Sequence, residues 1–210
     1  GKTSLLSAVV KILPGLNLRP LLLAPTGRAA KVMSTYSGRS AFTIHKIIYK
    51  PKGDAGTLGG GFTLQKNYFK DTLFVVDESS MLADDGGMSG NLLWDLITYT
   101  FSGVGNRLLF VGDTAQLPPV GSQYSPALDA EYLLRHYRLD ADQIELVEVM
   151  RQKLESGILF NATSLRHELG ADQAAIKIQT HLFKDIFKMT SEKLEDGLRY
   201  AYSKYGTENT

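Results

Sequence analysis

The sequence predicts an α/β domain: a mostly parallel sheet with helices on both faces. Three observations carry that expectation. Four short apolar runs, at 21–24, 73–76, 108–111 and 144–149, are too brief for helices and fit buried strands. Helix-like stretches separate them, and strands alternating with helices indicate a parallel sheet. The 210 residues are 43% hydrophobic and 21% charged, the balance of a globular domain and not of a disordered or fibrous chain.

Taken in order, a first helix is expected over 3–13, directly behind Gly1-Lys2-Thr3. Leu21-Leu22-Leu23-Ala24 forms the first strand, closes at Pro25-Thr26-Gly27, and leads into a helix over 28–36. Residues 51–61 hold five glycines and cannot pack a core, so a loop or hairpin tip is expected there. Leu73-Phe74-Val75-Val76 is the next strand and ends in Asp77-Glu78. A helix over 91–101 places Leu92, Leu93, Leu96 and Ile97 on one face, and Leu108-Leu109-Phe110-Val111 then runs into Gly112-Asp113. The run at 144–149 is expected as the fourth strand. Beyond it the pattern changes to a helix over 158–169 and an alternation at Ile176 and Ile178. A last helix over 191–205 carries Leu194, Leu198, Ala201, Tyr202 and Tyr205 on one stripe and stops at Gly206.

Composition excludes several classes of function. With no cysteine there is no disulfide scaffold, no thiol nucleophile and no thiolate zinc site. The four histidines, His45, His136, His167 and His181, show no metal-ligand spacing. No apolar run approaches the roughly 18 residues of a membrane helix, and the first residues do not read as a signal peptide. A soluble, cytoplasmic protein without a membrane partner is expected.

Charge is informative only locally. Residues 28–70 carry eight lysines and arginines against Asp54 alone, a local +7 in a chain whose total is +1. Tyr36, Phe42, Tyr49, Phe62, Tyr68 and Phe69 are threaded through that stretch. Cations for phosphates and flat rings for bases are what single-strand binding uses; a solvated basic face over core aromatics is the alternative.

The residues with chemistry fall where an open parallel sheet puts it, at the carboxyl ends of strands. Gly1-Lys2-Thr3 before a helix is the last part of GxxxxGK[ST], whose amides cradle nucleotide phosphates while Lys offsets charge and Thr holds Mg²⁺. Its upstream glycines are absent from this chain. Val75-Val76-Asp77-Glu78 places an acidic pair at a strand end, as a nucleotide-hydrolysing site requires for its cation and its water. A third strand end supplies Gln116. A solvated turn is the simpler reading of Asp84-Asp85, and Ser79-Ser80-Met81 reads as the packed start of the next segment.

Four strings together are highly specific: Ala24-Pro25-Thr26-Gly27-Arg28-Ala29-Ala30, Asp77-Glu78-Ser79-Ser80-Met81, Gly112-Asp113-Thr114-Ala115-Gln116-Leu117-Pro118 and Glu148-Val149-Met150-Arg151-Gln152. In order and spacing they resemble motifs Ia, II, III and IV of RecD-like helicases of superfamily 1B, the exodeoxyribonuclease V alpha-subunit type. Thr43-Ile44-His45 resembles the element that follows motif Ia there.

The resemblance implies a P-loop NTPase fold of RecA-like type and an ATP-dependent DNA helicase that translocates 5′ to 3′, with ATP and Mg²⁺ as cofactors. Gly1, Lys2, Thr3, Asp77, Gln116 and Arg151 would bind the nucleotide, with Thr3 and Asp77 on the metal. Glu78 would be the general base, with Gln116 and Arg151 at the γ-phosphate. Pro25, Thr26, Thr43, His45 and Lys46 would lie along single-stranded DNA, although a partly buried helix histidine remains open for His45. Residues 1–152 would be the first motor domain, with a pin-like insertion at about 50–70, and 153–210 a connecting helix plus the start of a second RecA-like domain. Motifs V and VI are absent from the sequence, so the expectation is a piece of a longer protein, inactive by itself, whose parent has possible accessory subunits in a recombination or repair complex. Two alternatives stand: a P-loop ATPase acting on another substrate, and a DNA-binding fragment with a non-functional nucleotide site.

Overall fold

A computed structural model of the chain describes residues 2–51, 61–84, 91–116, 118–119, 121–122, 124–146, 156–168 and 176–206. The chain divides into two compact units, Gly1–Glu148 and Val149–Thr210.

In the first unit, α1 (Lys2–Ile12) buries Leu6 and Val10. Pro14 and Gly15 end it in a 3-10 turn closed by Asn17 at φ 57°, a left-handed position that Asn tolerates. β1 (Arg19–Ala24) follows, then α2 (Gly27–Ser37), capped by Thr26 Oγ1, which accepts from Ala29 N at 3.2 Å, and terminated by Gly38 at φ 67°. β2 (Ala41–Thr43) runs into α3 (Ile44–Ile48), where Thr43 Oγ1 accepts from Lys46 N at 3.3 Å. β3 (Tyr49–Pro51) and β4 (Phe62–Leu64) pair antiparallel as the base of a hairpin. Residues 52–60 of the glycine-rich stretch lie outside the described residues. β5 (Thr72–Val76), α4 (Leu92–Phe101), β6 (Arg107–Phe110) and α5 (Ala130–Tyr137) complete the unit, with Asn91 and Asp129 accepting from the first turns of the two helices.

The main sheet has the order β2-β1-β5-β6, and every pairing in it is parallel. Strand side chains alternate between faces, so the sheet has two cores. Leu22 and Val75 pack with Leu6 and Val10 of α1 and Met33 of α2. Leu21, Leu23, Phe74 and Val76 pack on the opposite face with Ile44, Ile48, Leu93, Leu96 and Leu133 from α3, α4 and α5. Phe74, Val75 and Val76 are fully buried, each contributing about 1.5–3 kcal/mol relative to exposure.

One expectation fails here. Residues 144–146 form no strand: Ile144 is 85% and Leu146 47% exposed, while 147–149 lie outside the described residues. A strand needs a partner as well as apolar residues, and among the described residues β6 pairs with β5 alone. The fourth strand is instead Ala41–Thr43, three residues paired with Leu22–Ala24. The alternating Ile176 and Ile178 lie outside any helix or strand, and both residues are exposed.

The second unit contains α6 (Gly157–Glu168) and α7 (Leu194–Tyr205). Asp185 caps α6 from 28 residues away, accepting from Gly157 N at 2.9 Å and from Ser156 Oγ at 2.7 Å. The stripe expected on α7 forms on a helix as read, but Leu194, Leu198 and Tyr202 on it are exposed. No described helix is long and apolar enough to cross a membrane.

Candidate functional site

Because the four strands are parallel, their carboxyl ends share one edge. That edge gathers Pro25 and Thr26 after β1, Thr43 at the end of β2, Asp77 and Glu78 after β5, and the 111–116 segment after β6. α1 packs Leu6 and Val10 on Leu22 and Val75 and leads through a short turn into the start of β1, so its own start points toward the carboxyl edge. Lys2 and Thr3, in its first turn, are half-buried, and no acid lies in that turn. Gly1 and Arg151 lie outside the described residues. Gln116 is exposed in a turn whose Asp113 side chain accepts from Ala115 N at 3.1 Å, with Gln116 N donating to Asp113 O at 3.1 Å.

The β5–β6 ladder continues past the strands and fixes this geometry. Val111 N donates to Val76 O, and Ser79 N to Val111 O, both at 2.9 Å. Glu78 occupies the left-handed region at φ 54°, a conformation costing a residue with a Cβ about 1–2 kcal/mol. Ser79 and Ser80 are fully buried, while Met81 is half-exposed at 49%.

Asp77 is held at both oxygens. Its Oδ1 accepts from Glu78 N at 3.0 Å, and its Oδ2 accepts from the Tyr36 hydroxyl at 2.6 Å. Burial first, then the bond to Asp77 and the charges of Asp77 and Glu78, push the Tyr36 phenol well above its usual range, so it stays a donor. Sequence reading missed Tyr36 as part of the site: its partner is 41 residues away. Hard oxygen donors such as the Asp77 carboxylate and the Thr3 hydroxyl suit Mg²⁺, which takes few protein ligands and keeps its waters. A helix start with a lysine and no acid suits phosphate. The residues present therefore fit a magnesium nucleotide.

Thr26 and Thr43 act as helix caps, a role the strand-contact reading did not include. Each hydroxyl accepts a backbone N–H and retains its own proton to donate. His45 is exposed, with its ring 5.4 Å from that of Tyr49, so the partly buried alternative does not hold. Tyr49 is itself fixed by donating to Asp95 Oδ2 at 2.6 Å, and it lies 6.3 Å from the exposed ring of Phe62. Lys46 sits over Phe42 at 5.2 Å and Lys66 over Tyr68 at 5.4 Å. Arg28, Lys31, Arg39, Lys46, Lys50, Lys66 and Lys70 are all exposed, and no ion pair among the described residues engages them.

The solvated-turn reading of Asp84 is overturned. Its carboxylate is half-buried and accepts from Tyr132 Oη at 2.6 Å, Tyr137 Oη at 2.5 Å and Asn91 Nδ2. Asp84 thereby ties the segment after β5 to α4 and α5; Asp85 lies outside the described residues.

Known proteins carry the same pattern. Residues 1–122 match the family model described as AAA domain. The chain is 33% identical over 171 residues to the ATP-dependent RecD2 DNA helicase of Deinococcus radiodurans, an alignment covering 80% of this chain and 20% of that protein. It is also 30% identical over 135 residues to an uncharacterized protein of Methanocaldococcus jannaschii, covering 58% of this chain and 11% of that one. The chain thus spans a fifth or less of the length of these relatives. With the acidic end of β5, the helix start at Lys2-Thr3 and the loop after β6 all on one sheet edge within the matched residues, the chain belongs to the AAA domain family, as a RecD-like member of it.

Proposed function

We propose that these residues form the nucleotide-binding half of a DNA motor, a 5′ to 3′ ATP-dependent helicase in which this chain alone does not turn over. Lys2 contacts the β- and γ-phosphates, Thr3 and Asp77 hold Mg²⁺, and Glu78 orients the attacking water. Gln116 and Arg151 act at the γ-phosphate. Bound ATP supplies the phosphoryl transfer that drives movement. Pro25, Thr26, Thr43, His45 and Lys46 lie along single-stranded DNA, with the β3–β4 hairpin as the strand-splitting pin. On this reading residues 1–152 are one motor domain and 153–210 begin the next, in a cytoplasmic protein of recombination or repair that works with accessory subunits.

The observation that carries the reading is the pairing of two surfaces on one framework. The carboxyl edge holds the acidic pair, and residues 42–50 and 62–70 present exposed lysines interleaved with aromatic rings, free of acidic partners among the described residues. A P-loop ATPase for small substrates has no use for that second surface. The test is a salt titration of binding to fluorescein-labelled oligodeoxythymidine, comparing the parent with a Lys46→Ala, Lys50→Ala, Lys66→Ala triple variant. Each phosphate contact contributes about 0.7 to the log–log slope on a single strand, so the triple variant should flatten it by about 2. An unchanged slope overturns the strand assignment.

A further inference from the structure

The Asp77 carboxylate is more constrained than a strand-end aspartate needs to be. Left alone, a carboxylate turns broadly about its terminal torsion. Here one oxygen is tied to the backbone N–H of Glu78 and the other to the Tyr36 hydroxyl, at 3.0 and 2.6 Å. The Tyr36 ring is fixed in turn, because it packs against the cluster of Leu6, Val10, Leu22, Met33 and Val75. An ionised carboxylate has about four lone-pair sites; two are taken, and two stay open to a cation or its waters. The tether therefore sets the carboxylate plane without filling it.

We infer that Tyr36 is a positioning residue for a hydrated divalent cation, holding Asp77 in the orientation the metal requires. The inference rests on the reading that Asp77 belongs to a metal–nucleotide site, and it adds a residue that none of the motifs contains. Hydrogen-bond partners behind a metal ligand are commonly worth about 10–100-fold in metal affinity. The phenol is the only group at stake, since phenylalanine keeps the ring in the apolar cluster.

The experiment measures binding, not turnover. In the full natural polypeptide carrying this sequence, methylanthraniloyl-ADP is titrated with MgCl₂ and the Mg²⁺ midpoint read from fluorescence. Affinity for the same nucleotide in EDTA is measured alongside, and a urea melt reports stability. Tyr36→Phe should raise the Mg²⁺ midpoint tenfold or more while leaving nucleotide affinity in EDTA unchanged. Asp77→Asn should raise it at least as far. A Tyr36→Phe midpoint within twofold of the parent overturns the inference, including where the melt shows lost stability, because the bond is then only structural. If Asp77→Asn also leaves the midpoint unchanged, the metal assignment falls together with the inference. If Asp77→Asn shifts it and Tyr36→Phe does not, the inference alone falls.

Discussion

Replacing Glu78 with glycine and with alanine should reverse the usual ranking of those two residues. Both changes remove the carboxylate, so they differ only in the Cβ and in backbone freedom. At φ 54° the Cβ of alanine retains a left-handed penalty of about 1–2 kcal/mol that glycine escapes. Glycine gives back about 0.4–1 kcal/mol through the greater freedom of its unfolded chain. The glycine variant should then be more stable than the alanine variant by about 0.5–1 kcal/mol. At an ordinary interior position of a helix or strand the difference has the opposite sign and about the same size. Urea melts of the 210-residue chain read this directly: with a slope of about 1–3 kcal/mol per molar, the midpoints should separate by a few tenths of a molar. An alanine variant as stable as the glycine variant, or more so, would refute the left-handed conformation and the idea that strain is stored at the acidic pair.

Two further predictions concern the frame around the site. Asn106, 8% exposed, donates from Nδ2 to Phe69 O at 3.1 Å and Thr100 O at 3.0 Å, and accepts from Thr72 N at 3.1 Å. Asn106→Ala orphans the buried Thr72 N–H and the Phe69 carbonyl and leaves Thr100 O only its longer bonds from Gly103 N and Asn67 Nδ2, both at 3.4 Å, so it should lower stability by about 2–4 kcal/mol in a urea melt, with Asn106→Asp no better at neutral pH because it cannot donate to the carbonyls. Burial by itself would raise the Asp84 carboxyl, but the Tyr132, Tyr137 and Asn91 donors outweigh it and hold it below its ordinary range. A folded value below the unfolded one means the contribution is whole at neutral pH and is lost as pH falls through the folded value. Asp84→Asn should therefore cost about 1–2 kcal/mol at pH 7, and its melting curve should converge on the parent's below about pH 4.

What was legible in the sequence was what depends on neighbours along the chain. Three strands were visible because Leu21–Ala24, Leu73–Val76 and Leu108–Phe110 are apolar runs with clear ends, and α1, α2, α4 and α7 because their apolar spacing or stops are local. β2 was missed because Ala-Phe-Thr is three residues without a pattern, and it is a strand only because β1 lies beside it. The run at 144–146 misled for the opposite reason, having the composition of a strand and no edge to join. In the site, residues at strand ends could be located by position alone. Tyr36 and Asp84 could not, since the carboxylate that Tyr36 meets lies 41 residues away and the two tyrosines on Asp84 lie 48 and 53 residues away, and a tyrosine beside a basic run gives no sign of which carboxylate it will meet.

A strained residue persists only where its surroundings over-determine it, and the turn at Glu78 is braced on every side. Glu78 N is held by Asp77 Oδ1, and Met81 N donates to Glu78 O at 3.1 Å. The next residue is fixed twice, through Ser79 N to Val111 O and Ser79 Oγ to Val76 O at 2.7 Å. Ser80 O accepts from Ser125 Oγ at 3.1 Å, which ties the turn to the segment leading into α5. Gly112 lies so close that a Cβ there would come within 2.6 Å of Leu128 Cδ1 and 3.0 Å of Ser80 N. These bonds join the ends of β5 and β6 into one rigid corner, and Tyr36 joins α2 to the same corner through Asp77. The helix that caps on Thr26 after β1 is therefore bonded directly to the acidic pair after β5. α2 thus begins on the Thr26 cap, in the loop proposed to meet the single strand, and near its other end carries the hydroxyl that holds the carboxylate proposed to meet the metal.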